Sequence, residues 1–333
     1  MEITRGQWII IILLTLSFIA TAGFVAFGLA AVLSFGPAYL YLKSIRNAEE
    51  TDREPWSALQ TAFVWGAVSG VFYALILNGL GGSLVFLYSG NDADLTFVLT
   101  AIIVAPIVEE FVKPLVLFRN ASVKGEIDEV EDGIVYGAAC GLGFGATENI
   151  LYGLSEGAVS SGLLGVIIIV TVRTVSSILL HLTASSFAGY GISQYLVKGA
   201  PFSVVIKYYL LAVLIHAAWN TAAVLGSPLI LIFSILLAIG GLEFSKRRIR
   251  ELDLEGSNIS PTSLRAENNR DDWWNASKDK WANKSQTQTS NTASPIFESG
   301  TESPASSMFQ NIDWRQTLGG LFFLFYILSG IIF

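Results

Sequence analysis

Long apolar runs separated by short polar segments dominate the chain. A helix needs about 20 apolar residues to cross a bilayer core, and runs of roughly this length recur along most of the sequence. The predicted spans are residues 7–22, 25–43, 58–80, 95–118, 133–154, 163–190, 204–224, 227–245 and 317–333. The first two are close enough to form one long helix, and the last is short. The pattern therefore predicts an all-α fold, a polytopic transmembrane helical bundle of about eight or nine spans.

The polar stretch before the last apolar run has a different composition. It is rich in Ser, Asn, Thr and Asp, with a few isolated tryptophans, and such a segment cannot bury enough apolar area to fold. The alternative is that the tryptophans anchor it at the headgroup level. We predict a transmembrane domain over residues 1–245, a disordered cytoplasmic linker over 246–316 and a C-terminal transmembrane helix over 317–333.

Basic residues predict the orientation of the bundle. Short cytoplasmic loops of membrane proteins carry an excess of Lys and Arg. Here the loops at residues 81–94 and 155–162 and the turn at Gly226 contain neither, and the basic side chains fall in the alternate loops. They include Lys43, Arg46, Arg53, Arg119, Lys124, Lys198, Lys207 and Lys246. We therefore predict a cytoplasmic N-terminus, a first span that is retained, and the cell membrane as the location.

Composition restricts the function classes. Apolar residues make up 52% of the chain and charged residues 14%, whereas charged residues are about 25% of soluble proteins. The net charge of −7 and the absence of a basic stripe argue against a nucleic-acid partner. The single cysteine, Cys140, excludes an intrachain disulfide and a multi-cysteine zinc site.

Four of the predicted spans carry ionisable side chains near their middle. Each costs at least about 2.5 kcal/mol to insert, so it marks a pairing partner, a water-filled cavity or a functional site. The polar residues are Glu109, Glu110 and Lys113, then Glu148 and Asn149, then Arg173 and His181, and finally His216 and Asn220. At about 1.5 Å rise per residue, the glutamates and histidines lie roughly 13 to 22 Å from the cytoplasmic ends. These depths are compatible with one layer.

Spacing along each helix favours a shared pocket. Lys113 follows Glu109 by four residues and Glu110 by three, so it can pair with either carboxylate. His216 and Asn220 are four residues apart and share a helix face. A structural ion pair or an interhelical hydrogen bond would explain each group singly, and we interpret Arg173 as structural, paired with a carboxylate or a lipid phosphate.

The chemistry of this pocket suits hydrolysis. A carboxylate can deprotonate water, and imidazoles or a metal can hold the developing oxyanion. Glu and His are also zinc ligands, and three protein ligands leave a fourth position for water. The glycines that precede Glu148, by contrast, predict close helix packing rather than chemistry. They are Gly137, Gly141, Gly143 and Gly145.

The order of these motifs resembles the PrsW-type intramembrane proteases over about residues 30–245. The motifs that carry the resemblance are Glu109-Glu110-x-x-Lys113, Phe144-x-x-x-Glu148-Asn149, His181 with Ser185 and Gly189, and His216-x-x-x-Asn220. The run from Asp132 to Tyr152 and the loop pair Glu54-Pro55 are similar to that family as well. The wider group includes CAAX-prenyl proteases and bacteriocin-processing proteins.

The resemblance implies an intramembrane metalloprotease that cleaves a transmembrane protein substrate in the lipid bilayer with a glutamate-activated water. It implies zinc as cofactor, with Glu148, His181 and His216 as ligands. The implied catalytic residues are Glu109, Glu110, Glu148, His181, His216 and Asn220, supported by Lys113 and Asn149. The prenyl-protease group usually has His where this chain has Glu148. A metal-free glutamate base with His216 and Asn220 as oxyanion donors therefore remains an alternative.

The rival from another class is a proton- or ion-coupled transporter. Intramembrane Glu, His, Lys and Arg side chains can form a proton relay as well as a hydrolytic site. Transporters are often built from internal repeats, and no convincing repeat relates the two halves of this sequence. A third interpretation is a non-catalytic binding protein descended from such proteases.

Overall fold

The computed structural model describes residues 3–226 and 228–257, and α-helices account for nearly all of this part of the chain. The helices are α1 (Arg5–Ala22), α2 (Phe24–Arg46), α3 (Trp56–Val64), α4 (Val71–Tyr88), α5 (Ala93–Leu99), α6 (Ala105–Val112), α7 (Leu115–Arg119), α8 (Ala121–Glu126), α9 (Val130–Tyr152), α10 (Ala158–Val175), α11 (Ser177–Val197), α12 (Phe202–Leu225) and α13 (Pro228–Ser257). No strand occurs among the described residues, which confirms the all-α prediction. Most of the predicted linker and the whole predicted span 317–333 lie outside them.

Five helices in the described part of the chain are long and apolar enough to cross a membrane. They are Phe24–Arg46, Trp56–Tyr88, Ala93–Arg119, Ser160–Val197 and Phe202–Leu225. The predicted spans 133–154 and 227–245 are helical but are not among these five helices. The multi-pass helical bundle is thus confirmed, whereas a count of eight or nine spans is not.

Three π-helical segments connect successive helices without ending them. Trp65–Gly70 joins α3 to α4, Thr100–Val104 joins α5 to α6, and Gly153–Gly157 joins α9 to α10. A π-turn accommodates an extra residue within a helix and often lies near a functional site. Two of these segments closely flank the predicted site residues, one before Glu109 and one after Glu148.

The predicted span 163–190 lies within one apolar helical stretch, Ser160–Val197, which contains a break. The backbone leaves the helical region at Ser176, with φ −122° and ψ −72°, and α11 begins at the next residue. The Ser176 hydroxyl donates to the Val172 carbonyl at 2.8 Å, and the Thr174 hydroxyl donates to the Val170 carbonyl at 2.7 Å. Hydroxyls that bond back to the preceding turn bend helices, which is consistent with the break at this position.

Helix α9 lies in the centre of the bundle and packs along α11 at backbone distance. A Cβ atom on Gly137 would lie 2.3 Å from the Ser185 carbonyl oxygen, and one on Gly141 would lie 2.2 Å from that of His181. Small residues allow this approach between membrane helices. The predicted packing role of these glycines is confirmed, although Gly143 faces a different helix and meets the backbone of Phe63 on α3.

The loop between α2 and α3 is fastened to the end of α13. The backbone N–H groups of Glu50 and Thr51 donate to Asp253 Oδ2 at 2.7 and 3.2 Å. Helix α13 continues past the boundary predicted at residue 245 and ends at Ser257, with Arg247 and Glu251 forming an i,i+4 ion pair at 2.8 Å. These contacts place both segments at one end of the bundle.

Candidate active site

The ionisable residues predicted for the membrane interior converge on one buried cluster. Helix α6 contributes Glu109 and Glu110, α9 contributes Glu148, α11 contributes His181 and α12 contributes His216. The two imidazole rings meet edge to face, with centroids 4.9 Å apart. Both histidines and the α6 glutamates are buried, and 17% of the Glu148 side chain is exposed. Four helices therefore supply one polar layer.

Helix α6 ends next to the cluster for a local reason. Pro114 has no backbone N–H to continue the helix, and α6 stops at Val112. The Trp65 indole N–H donates at 3.1 Å to the Val112 carbonyl, one of the last carbonyls of α6. This bond fixes the end of α6 against the π-helical segment after α3.

Glu110 has hydrogen-bond partners on both oxygens. Its Oε1 lies 2.6 Å from Lys113 Nζ and 2.8 Å from His216 Nδ1. Its Oε2 accepts a hydrogen bond from the Ser185 hydroxyl at 3.1 Å. The predicted Glu110–Lys113 ion pair is confirmed, and this carboxylate is held in place by groups from three helices.

The neighbouring Glu109 is less completely bonded. Its Oε1 accepts from the Asn78 amide at 3.3 Å. Its Oε2 is buried without a hydrogen-bond partner among the described residues, and lies 3.6 Å from Lys113 Nζ and 3.9 Å from His216 Nε2. Asn78 was not predicted from the sequence, although an amide within the predicted third span was a signal that could have identified it.

His181 lies between a cation and a carboxylate. Its Nδ1 is 2.7 Å from Lys113 Nζ and its Nε2 is 2.8 Å from Glu148 Oε2. An ammonium group only donates, so Nδ1 accepts from Lys113 and the Nε2–H donates to Glu148. Arg173 also donates to Glu148 Oε2 at 2.8 Å, which confirms the prediction that Arg173 pairs with a carboxylate.

The two asparagines of the motifs make structural contacts. The Asn149 amide donates to the Val170 carbonyl at 3.1 Å and to the Thr174 hydroxyl at 3.0 Å, connecting α9 to α10. The Asn220 amide donates to the Ala101 carbonyl at 2.7 Å, in the π-helical segment before α6. The amide nitrogen of Asn220 is therefore bonded to backbone rather than to the carboxylates and imidazoles of the cluster.

Three of the clustered side chains fit a metal ion. Glu109, His181 and His216 each offer a ligand atom, and these atoms lie within 4.8 Å of one another. Two imidazoles and a carboxylate form a donor set of catalytic zinc sites, and Glu109 Oε2 is a buried oxygen without a hydrogen-bond partner among the described residues. This group contains Glu109 where the sequence resemblance implied Glu148.

One ring nitrogen of each histidine also contacts a glutamate carboxylate. Glu110 contacts Nδ1 of His216, and Glu148 contacts Nε2 of His181. Carboxylates hydrogen-bonded to ligating imidazoles fix the orientation and tautomer of the ring in metal sites. The other nitrogens, Nε2 of His216 and Nδ1 of His181, face Glu109 and Lys113 respectively. A metal bound to His181 Nδ1 would have to displace the Lys113 ammonium.

The helical bundle and the buried cluster together define a polytopic membrane protein with a carboxylate–imidazole site in its interior. The model of a family described as PrsW family intramembrane metalloprotease matches residues 54–240, which is more than half of the chain. The chain belongs to this family. The matched range contains every residue of the cluster.

Three curated relatives are each named Protease PrsW. The protein of Clostridioides difficile strain 630 is 32% identical over 168 residues, which cover 50% of this chain and 66% of the relative. That of Geobacillus kaustophilus is 34% identical over 125 residues, 36% of this chain and 48% of the relative. That of Bacillus subtilis strain 168 is 30% identical over 125 residues, 36% of this chain and 49% of the relative. The chain thus spans about half to just under two thirds of these relatives, and no solved structure matches it.

Proposed function

We propose that this protein is an intramembrane endopeptidase that hydrolyses a peptide bond of a membrane-protein substrate with a glutamate-activated water. The observation that carries the proposal is the Glu109 carboxylate, which has a buried oxygen without a hydrogen-bond partner beside both imidazoles. Such an oxygen can accept a proton from water at low cost in protein rearrangement. The description of the family as intramembrane metalloprotease supports the same chemistry.

Each member of the cluster has a distinct part in this proposal. Glu109, oriented by Asn78, takes the proton from water. Glu110 positions Lys113 and His216 through its ion pairs. Glu148, held by Arg173, keeps His181 in one orientation. Without a metal, the two imidazoles and the Lys113 ammonium would supply the positive and donor groups that stabilise charge developing on the scissile carbonyl oxygen. With a metal, the imidazoles would hold the ion instead.

Zinc is the metal that we propose for this site, with His181 and His216 as two of its ligands. When bound, a divalent metal polarises the scissile carbonyl and lowers the pKa of water. Glu148 is the third ligand that the sequence resemblance implies, and Glu109 is the carboxylate within 4.8 Å of both imidazoles. Metal content of purified Glu109→Gln and Glu148→Gln variants decides between them. The ligand variant loses metal, whereas the variant of the base keeps metal and loses cleavage.

Cleavage itself can be tested before any substrate has been identified. The protein is expressed in a bacterial host that lacks its own PrsW-type protease, and new N-termini in the membrane fraction are identified by mass spectrometry. We expect new termini within or beside membrane spans in cells with the wild type, and none with Glu109→Gln or His216→Ala. The exposed Glu255→Gln variant is the matched control and should cleave like the wild type.

The same cleavage products from the Glu109→Gln variant would contradict the assignment of the base. Equal termini from both site variants and from empty cells would remove the protease proposal altogether. We further propose the cell membrane as the location, with a cytoplasmic N-terminus, because the basic side chains alternate from loop to loop.

A further inference from the structure

A second group of buried carboxylates lies at the end of the bundle. Glu49 and Glu54 belong to the loop between α2 and α3, and Asp132 belongs to the first turn of α9. One oxygen of each lies within 4.8 Å of the others, and all three residues are at most 5% exposed. Asp132 is about 24 Å along α9 from Glu148 at 1.5 Å rise per residue, so this group is separate from the candidate active site.

Neutral donors hold these carboxylates in place. Glu49 Oε2 accepts from the Glu54 backbone N–H at 3.0 Å. Asp132 Oδ2 accepts from the backbone N–H groups of Asp128 and Glu129 at 2.8 and 2.7 Å. The Tyr136 hydroxyl donates to Glu54 Oε2. None of these donors carries a full charge, so they fix the geometry of the group without forming an ion pair with it.

An unpartnered oxygen points to a missing ligand. Glu49 is 0% exposed, yet its Oε1 has no hydrogen-bond partner among the described residues. The nearby basic side chains contact the backbone instead: Arg46 Nε donates to the Glu54 carbonyl and Arg53 Nε donates to the Glu49 carbonyl. A buried acceptor without a partner is costly, and a cation among the three carboxylates would remove that cost.

A further acidic group adjoins the same loop. Glu129, Glu131 and Asp253 also place ligand atoms within 4.8 Å of one another, and Glu131 Oε1 likewise lacks a hydrogen-bond partner in the described part of the chain. No ion pair between described residues includes any carboxylate of either group. Burial, together with the neighbouring carboxylates, raises the pKa of Glu49 and of Glu54 to about 8.

We propose that Glu49, Glu54 and Asp132 form a binding site for a hard divalent cation, Mg²⁺ or Ca²⁺, that ties the α2–α3 loop to α9. The donors are all oxygens, without the nitrogen or sulfur ligands that select zinc. The cation links the loop directly to the helix that carries Glu148. The site is structural and does not depend on the proposed protease activity.

The test is cation binding and thermal unfolding of the purified full-length protein in detergent. The protein is stripped with chelator, and Mg²⁺ or Ca²⁺ alone is added at pH 7.5. We expect saturable binding measured by calorimetry and a rise in Tm of about 5 °C at 100-fold excess over the Kd. The Glu49→Gln variant should lose both effects. The Asp52→Asn variant changes an exposed carboxylate of the same loop and should keep them.

Three further outcomes are informative. If Glu49→Gln does not fold, Asp132→Asn and direct binding to the wild type decide the question. A His216→Ala variant should still bind the cation, which separates this site from the candidate active site, and loss of binding in that variant would overturn the proposal. Absence of saturable binding of either cation to the wild type, or an unchanged Tm rise in Glu49→Gln, would also overturn it. The cation with the lower Kd identifies which ion the site prefers.

Discussion

At the residue scale, the two adjacent glutamates of α6 differ in how completely their carboxylate oxygens are hydrogen-bonded. Both oxygens of Glu110 have partners from Lys113, His216 and Ser185. Glu109 keeps an oxygen without a hydrogen bond. A fully bonded buried carboxylate orients its neighbours, whereas an unpartnered one is available to react or to ligate. Glu109 and Glu110 look equivalent in the sequence, but their contacts suit them to different roles in the cluster.

Lys113 balances this buried charge, and its removal tests the network. Its Nζ contacts Glu110 Oε1 at 2.6 Å and His181 Nδ1 at 2.7 Å. Lys113→Met leaves a buried carboxylate without its cation, so we expect the free energy of unfolding to fall by about 3 to 5 kcal/mol. Unfolding of the detergent-solubilised protein in SDS, followed by tryptophan fluorescence, measures the change.

The double variant Lys113→Met/Glu110→Gln provides the control for this prediction. It removes both charges and should be more stable than the single Lys113→Met variant. Lys124→Met changes an exposed lysine and should unfold like the wild type. A Lys113→Met variant as stable as the wild type would show that Glu110 is protonated rather than paired.

Sequence spacing identified the members of the cluster but not their partners. The i,i+3 rule correctly paired Glu110 with Lys113, because both lie on one helix. The contacts of Lys113 with His181 and of Glu109 with Asn78 join residues far apart in the chain. Such contacts depend on which helix faces which, and a hydropathy pattern does not contain that information.

At the scale of the elements, the contact between α9 and α11 sets the distance between Glu148 and His181. Glycines bring the two backbones together, and a Cβ atom on Gly189 would lie 1.8 Å from the Gly133 carbonyl oxygen. The glycine run predicted close packing but not its partner, and the apolar pattern did not predict the break at Ser176 that begins α11. That break depends on hydroxyl-to-backbone bonds that apolar periodicity does not reveal.

A methyl group at Gly137 tests this packing. Its Cβ would lie 2.3 Å from the Ser185 carbonyl oxygen, so Gly137→Ala must push α11 away from α9. We expect the free energy of unfolding to fall by about 1 to 3 kcal/mol and cleavage to fall up to about 100-fold, since a displacement near 1 Å can cost that much. SDS unfolding and the rate of substrate cleavage measure the two effects.

The matched control is Gly28→Ala on α2, where a Cβ would meet nothing within 4 Å. Alanine is a better helix former than glycine, so this variant should be at least as stable as the wild type and fully active. Equal behaviour of the Gly137 and Gly28 variants would mean that α9 and α11 can separate without disturbing the site.

At the scale of the whole molecule, three segments that are far apart in the sequence meet at one end of the bundle. The α2–α3 loop, the start of α9 and the end of α13 come together through Asp253 and the acidic groups. The Lys and Arg residues of the sequence predict that the same segments lie on one side of the membrane. The long-range contacts agree with that grouping, but they do not determine which side faces the cytoplasm.

Cysteine labelling determines the orientation, because the native Cys140 is fully buried and should not react. Single cysteines are introduced at the exposed positions Asp52, Asp94, Glu156 and Lys198. With a membrane-impermeant maleimide on intact cells, we expect labelling of Asp94→Cys and Glu156→Cys only, and inverted vesicles should give the reverse. The opposite pattern would place the N-terminus outside, where the acidic site would meet extracellular cations. Labelling of Asp52→Cys and Lys198→Cys from different sides would mean that an odd number of crossings separates them, contrary to the grouping of the loops.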